Sequence, residues 1–274
     1  MAPKPALRPR RGSRRGLSTG LLAAVGAAAL AVLVVIPVVA LVVRAPWSSV
    51  GEILAEPANR RALQLSLVVS LWALVLSVVL GFPMAWLLAR VAFPGRRVAR
   101  ALVTLPMVVP PVVGGVALLL AFGPEGLVGQ WLDRWFGIQL AFTTPAAVMA
   151  ATFVSLPFFV ITVESALRGV DRRYEDAALT LGASQAMVLT RLTLPSIRGA
   201  VGAGAALSWA RALGEFGATI TFAGTIEGRT RTMPLAINQA LKTDQQAAIL
   251  LSLVLLGVSV VVLASLRDHW LGGT

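Results

Sequence analysis

Arg211 and Glu215 are the two ionisable residues inside an otherwise uncharged stretch, residues 199–223. Four positions apart, they share one face of a helix and can neutralise each other. The twelve steps from Gly199 to Arg211 rise about 18 Å, which puts the pair near mid-membrane. Charge at that depth costs a few kcal/mol at least and is ordinarily paired or turned toward a wet path. The pair is therefore either an internal clip on a neighbouring helix or the lining of a gate, where Arg211 offers a cation to a passing anion. One pair can serve both roles. Other chemistry is scarce. The chain has no cysteine, which removes disulfides, thiolate metal sites, Fe–S clusters and cysteine nucleophiles. Its one histidine, His269, lies in a short charged tail, so no multi-histidine metal site can form. No catalytic residue and no metal ligand set is expected.

A second polar segment, residues 168–198, interrupts the apolar pattern. From Asp171 it reads DRRYEDAALTLGASQAMVLTRLTLP, ending at Pro195. The alanines and leucines suit a short helix over residues 172–181, stopped at Gly182, which can take a left-handed cap. Ser184 is a good N-cap for a second helix, and Pro195 closes the excursion. A helix–glycine–helix unit is a shape that docks in a partner's groove. An ordinary interfacial loop accounts for the same residues equally well.

The elements that must position these groups are membrane helices. Of the 274 residues, 57% are apolar and 13% charged, and the mean hydropathy is +0.82. Ordinary globular domains carry roughly a quarter charged residues, so a soluble enzyme is close to excluded, and intrinsic disorder is excluded. Six stretches reach the roughly 20 apolar residues that cross the hydrocarbon core: residues 17–43, 62–89, 101–122, 145–167, 199–223 and 246–266. The expected fold is an all-α membrane protein with six transmembrane helices. The first stretch is too long for a secretory signal and reads as a retained helix behind a basic arm, residues 1–16. The third carries Pro106, Pro110, Pro111, Gly114 and Gly115, so it should be kinked or broken. Such a break is either a packing kink or backbone lining a wet path.

The net charge of +12 follows the membrane rather than a nucleic acid, because few stacking aromatics accompany the basic residues. With the N-terminus inside, the inner segments hold Lys4, Arg8, Arg10, Arg11, Arg14 and Arg15, then Arg90, Arg96, Arg97 and Arg100, then Arg168, Arg172, Arg173, Arg191 and Arg198, and finally Arg267. The outer ones hold only Arg44, Arg60, Arg61, Arg134, Arg229, Arg231 and Lys242. That asymmetry places both termini in the cytoplasm and residues 168–198 on the inner side.

The spacing Asp176-Ala177-Ala178, three residues, Gly182, nine residues, Leu192, one residue, Leu194-Pro195 resembles the EAA loop of bacterial ABC-importer permeases. The family pattern has Glu where Asp176 stands, with Glu175 just before it, and often Ile where Leu192 stands. The resemblance implies a type I importer permease that pairs with a second copy of itself and docks this loop in two cytoplasmic ABC ATPase subunits. It also implies an extracytoplasmic binding protein as partner. Neither lysine, Lys4 or Lys242, follows a P-loop pattern, so ATP and its Mg belong to the ATPase subunits. This chain is expected to bind no cofactor and not to be an enzyme.

Residues 211–237, RALGEFGATITFAGTIEGRTRTMPLAI, are similar to molybdate-permease sequences. The distinguishing parts are Phe-Ala-Gly at 222–224 and the run Gly228, Arg229, Thr230, Arg231, Thr232 ahead of Pro234. Pro110-Pro111 with Gly114 resembles the same group, in which tungstate and sulfate or thiosulfate permeases are close relatives. Arg229, Arg231 and the threonines at the outer mouth can attract a tetrahedral dianion. The same loop can instead dock the binding protein or simply pack. A self-contained secondary transporter should show internal repeats, and none is found. A membrane enzyme should show clustered ionisable residues, whereas the expected spans offer only Arg211 and Glu215.

Overall fold

The computed structural model describes residues 14–271, with side-chain surroundings for residues 23–262 and 264. Lys4, Arg8, Arg10 and Arg11 of the basic arm, and the side chains of Arg14, Arg15, Arg267 and His269, lie outside that description. All regular structure among the described residues is helical.

The chain divides into two units, Met1–Ala45 and Pro46–Thr274. The first holds α1 (Arg14–Arg44), whose segment Ala23–Arg44 is long and apolar enough to cross a membrane. The second opens with a 3₁₀ turn at Trp47–Ser49 and α2 (Val50–Ala55), then α3 (Pro57–Arg90), α4 (Arg96–Val108), α5 (Pro111–Phe122), α6 (Gly129–Phe136) and α7 (Thr144–Gly169). After these come α8 (Arg172–Thr180), α9 (Gln185–Val188), α10 (Leu194–Leu213), α11 (Gly217–Phe222), α12 (Met233–Thr243) and α13 (Gln245–Leu271).

Three helices, α3, α7 and α10, form the centre of this unit. The buried positions of α3 are mostly small: Ala62, Ser66, Ser70, Ala73, Ser77, Gly81 and Ala85. They recur every three or four residues and so share one stripe, on which Ala62 and Ser66 meet Met233 of α12 and the later positions let α7 approach closely. α7 answers with Ala146, Ala147, Ala150 and Ala151, and the hydroxyls of Ser77 and Ser155 meet at 3.3 Å. Gly81 is needed for that approach, because a Cβ there would lie 2.8 Å from the Phe159 ring. Dispersion from close backbones and hydroxyl bridging replace the hydrophobic drive that lipid cannot supply.

The third expected span is broken. α4 ends at Val108, Pro110 and Pro111 restart the helix as α5, and the two axes differ by 118°. Both halves still track α7: Arg100 meets Glu164, and Gly114 meets Phe153. Those α7 residues are eleven apart, about 16 Å of rise.

Length and composition alone reproduce only part of the six-span count, and two further expectations need correction. α1, α3, α7 and α13 are each long and apolar enough to span, and α4 with α5 makes a fifth if counted together. α10 has the length, 20 residues or about 30 Å, but its glycines, serines and two arginines dilute its apolar content. The fifth expected span, 199–223, is not one helix: α10 starts at Leu194 and stops at Leu213, and α11 resumes at Gly217. Pro195 therefore stands in the first turn of α10, where a missing N–H costs nothing. Lastly, Arg211 and Glu215 are not the only ionisable residues within the expected spans. Glu164, inside 145–167, is buried at 6% exposure.

Candidate functional site

Residues 168–198 form much as their sequence dictates. Asp171 caps α8, its carboxylate accepting from the Arg173 N–H at 3.0 Å. At the other end Gly182 takes φ +89°, its N–H bonding to the Leu179 carbonyl while the Ala183 N–H bonds to that of Ala178, both at 3.0 Å. This paired arrangement satisfies the orphan carbonyls of the last turn and requires a residue that tolerates the left-handed region. Ser184 then caps α9 by accepting from the Met187 N–H. The second helix is brief. Leu189–Thr193 widens into a π turn, in which the Leu194 N–H reaches the Leu189 carbonyl. The wide turn sits just ahead of Pro195, which has no N–H to offer.

The loop has two faces. Asp176, Ala177, Gly182 and Pro195 are exposed, Ala178 and Leu192 are half-buried, and Leu181 is 89% exposed. Glu175 turns the other way and is buried. Its Oε1 accepts from Arg90 Nη2 at 2.8 Å and from the Thr193 hydroxyl at 2.9 Å. The carboxylate at the motif's own position, Asp176, thus faces outward, and its neighbour ties α8 to α3 and to the π turn. Arg90 also donates to the Val170 carbonyl. The last carbonyls of α3 are met by guanidiniums. Arg172 donates to Ala89 and Arg90, Arg168 to Leu88, and Arg96 also to Leu88. Cations suit that end of a helix because its orphan carbonyls carry the negative pole.

The second group lies where α10 breaks. Arg211 occupies the last turn of α10, and Glu215 stands in the non-helical link to α11. Their ion pair, 2.7 Å, spans the break. Glu215 is 3% exposed, and its Oε1 also accepts from the Ala218 N–H at 2.8 Å, near the start of α11. Glycines bring α11 against α5. A Cβ on Gly217 would lie 2.8 Å from Pro111, and one on Gly115 would lie 2.7 Å from Thr221 and 2.8 Å from the Ala218 carbonyl. Pro111 and the Arg211–Glu215 link thus belong to one joint between two broken helices. Pro110 caps α5 beside it.

The run from Arg229 to Thr232 is divided. Thr230 is buried and its hydroxyl accepts from the Ile226 N–H, so it shapes the loop. Arg231 pairs with Glu227 at 3.1 Å, and Thr232 is buried ahead of α12. Arg229 alone is fully outward, and its carbonyl accepts from the Thr144 hydroxyl. Sequence reasoning missed Arg90, Thr193 and Glu164. It counted Arg90 only as a loop cation, although an arginine closing one span and a spare carboxylate beside the motif were visible.

The chain is similar to known proteins along most of its length. Residues 77–271 match the family model of the binding-protein-dependent transport system inner membrane component. The chain is 47% identical over 226 residues to the molybdenum transport system permease protein ModB of Mycobacterium bovis, covering 82% of this chain and 85% of that protein. It is 41% identical to the protein of the same description from Escherichia coli strain K12, covering 80% and 95%. The sulfate transport system permease protein CysW of Synechocystis is 36% identical, with 85% of each chain covered. In fold, the chain is similar at a TM-score of 0.75 and 18% identity to a chain of a bacterial ABC transporter involved in the import of the polysaccharide alginate, covering 95% and 97%. The chain belongs to the family of binding-protein-dependent transport system inner membrane components.

Proposed function

We propose that this chain is the permease subunit of an ATP-driven importer that carries an oxyanion, molybdate first, across the cytoplasmic membrane. Two copies pair, two cytoplasmic ATPase subunits take the exposed face of α8 and Gly182, and an extracytoplasmic binding protein delivers the anion. ATP and Mg reside on the ATPase subunits. α10 completes six crossings with the five apolar spans, both termini lying inside.

The mechanism is alternating access. Closure of the ATPase pair displaces α8. Glu175 passes that displacement to α3 through Arg90 and to α10 through Thr193 and the π turn. α10 is a rod of about 30 Å that ends at the Arg211–Glu215 joint, so movement at its inner end is delivered to the break facing Pro110 and Pro111. Arg229 adds a positive potential at the outer mouth, with Thr230, Arg231 and Thr232 holding the loop that presents it. ATP hydrolysis resets the assembly.

The observation that carries this reading is the continuous linkage from the docking face through Glu175 to the joint, in a chain resembling molybdate permeases at 41–47% identity. Uptake of labelled molybdate by the reconstituted transporter, with tungstate, sulfate and thiosulfate as competitors, tests it. Competition by tungstate but not by sulfate is expected. Transport of sulfate with indifference to molybdate would establish the second reading, a sulfate permease, which the 36% identity to CysW favours.

A further inference from the structure

Glu164 is a buried carboxylate that the linkage above does not use. It sits in the last two turns of α7 and receives two guanidiniums, Arg100 from α4 and Arg168 from its own helix. Two cations on one anion leave the cluster with a surplus positive charge. The carboxylate is 8% exposed at its side chain, whereas Arg100 and Arg168 are 37% and 43% exposed. Both therefore keep donors free toward solvent. Arg100 gives Glu164 one Nη, and Arg168 shares one Nη between Glu164 and the Leu88 carbonyl, out of five N–H donors each. They face a cavity of about 290 Å³ whose other walls are Ile161, Ser165 and Glu164 itself.

We propose that Arg100, Glu164 and Arg168 form a weak binding site for a tetrahedral oxyanion at the coupling-loop end of the chain, a release site for the transported ion. The assignment of cargo to this site rests on the oxyanion-importer reading. Glu164 orients both guanidiniums so that their free edges are in place before an anion arrives, the fork geometry that binds oxyanions in a bidentate manner. The same carboxylate repels the anion it helps to position. A site on a transport path must bind well enough to be entered and weakly enough to be left, and a built-in competing carboxylate supplies that weakness.

The distinguishing variant is Glu164→Gln, which keeps the shape and removes the competitor. The complete transporter, in discs of phosphatidylcholine alone and without binding protein, is dialysed against labelled molybdate and labelled sulfate. Weak retention by the unaltered protein is expected. Glu164→Gln should tighten it about tenfold or more, since a charge within about 4 Å of the anion is removed at a partly buried site. Arg100→Gln, at an exposed side chain that tolerates change, should weaken retention, and the Arg100→Gln/Arg168→Gln double variant should abolish it. No gain in Glu164→Gln together with no loss in Arg100→Gln overturns the site. A response to these variants that arises only with phosphatidylglycerol in the discs assigns the guanidiniums to lipid phosphate and also overturns it. Retention of sulfate but not molybdate keeps the site and overturns the molybdate reading instead.

Discussion

The two ends of α10 solve opposite problems with different materials. At the α8 end, carboxylates and guanidiniums are interlocked: Glu175 holds Arg90 and Thr193, Glu164 holds Arg100 and Arg168, and three arginines cover the last carbonyls of α3. At the α11 end a single ion pair crosses a break, and Gly217 and Gly115 set the contact with α5. The first end is a clamp in which each buried carboxylate, Glu164 and Glu175, meets two side-chain donors. The second is a joint, closely packed but tied by few directional bonds. In the proposed mechanism a displacement applied at the clamp reaches the joint through α10.

Breaking the clamp should have the largest effect. Arg90→Ala leaves Glu175 buried without its cation, which costs about 3–5 kcal/mol. The midpoint of denaturant unfolding of the assembled transporter should fall, and uptake with it. Adding Glu175→Gln to Arg90→Ala should restore part of the midpoint, because the stranded charge is gone. No such recovery would mean the two residues do not act as a pair.

At the joint, Arg211→Ala strands Glu215, but Arg211 is 27% exposed at its side chain and Glu215 retains the Ala218 N–H. A smaller loss is expected, about 2 kcal/mol, with impaired transport measured as uptake per assembled complex. Unaltered uptake would remove Arg211 from the path and leave it a structural clip at most. Arg211→Lys should retain more activity than Arg211→Ala.

At Gly182→Val the new Cβ meets no neighbour within 4 Å, so the main folding cost expected is the left-handed backbone, about 1–2 kcal/mol. Insertion should be intact while ATP hydrolysis proceeds with reduced transport, read as the ratio of phosphate released to anion taken up. Normal coupling would refute the docking role of the loop. The smallest effect is expected for Arg231→Ala, a half-exposed pair with Glu227 worth about 0–1 kcal/mol. Its thermal midpoint should barely move.

The local shape of residues 171–195 was legible in the sequence, whereas the ion pairs of the clamp were not. Ser184, Gly182 and the Asp171 start are local signals, since a cap is decided by residues within one turn of it. The broken third span was legible for the same reason, through Pro110 and Pro111. What escaped were relations across distant segments. Arg90 and Glu175 are 85 positions apart, and nothing in either neighbourhood announces the other. The stop of α10 at Leu213 was hidden because Arg211 and Glu215 fit the i,i+4 rule of a continuous helix as well as they fit a bridged break. α12 was also missed: its residues follow a loop of glycine, threonine and arginine, and Pro234 stands in the helix's first turn.

The central claim is that the exposed face around Gly182 lies in the cytoplasm and engages a separate ATPase. The chain has no cysteine, so Leu181→Cys, at a side chain 89% exposed, provides a unique thiol. With the whole transporter in sealed cells, an impermeant maleimide added outside should leave that thiol unmodified, and a short bifunctional reagent added to inside-out vesicles should join the chain to the ATPase subunit. Modification from outside, or no joined product in a transporter that hydrolyses ATP and imports its anion, would contradict the account.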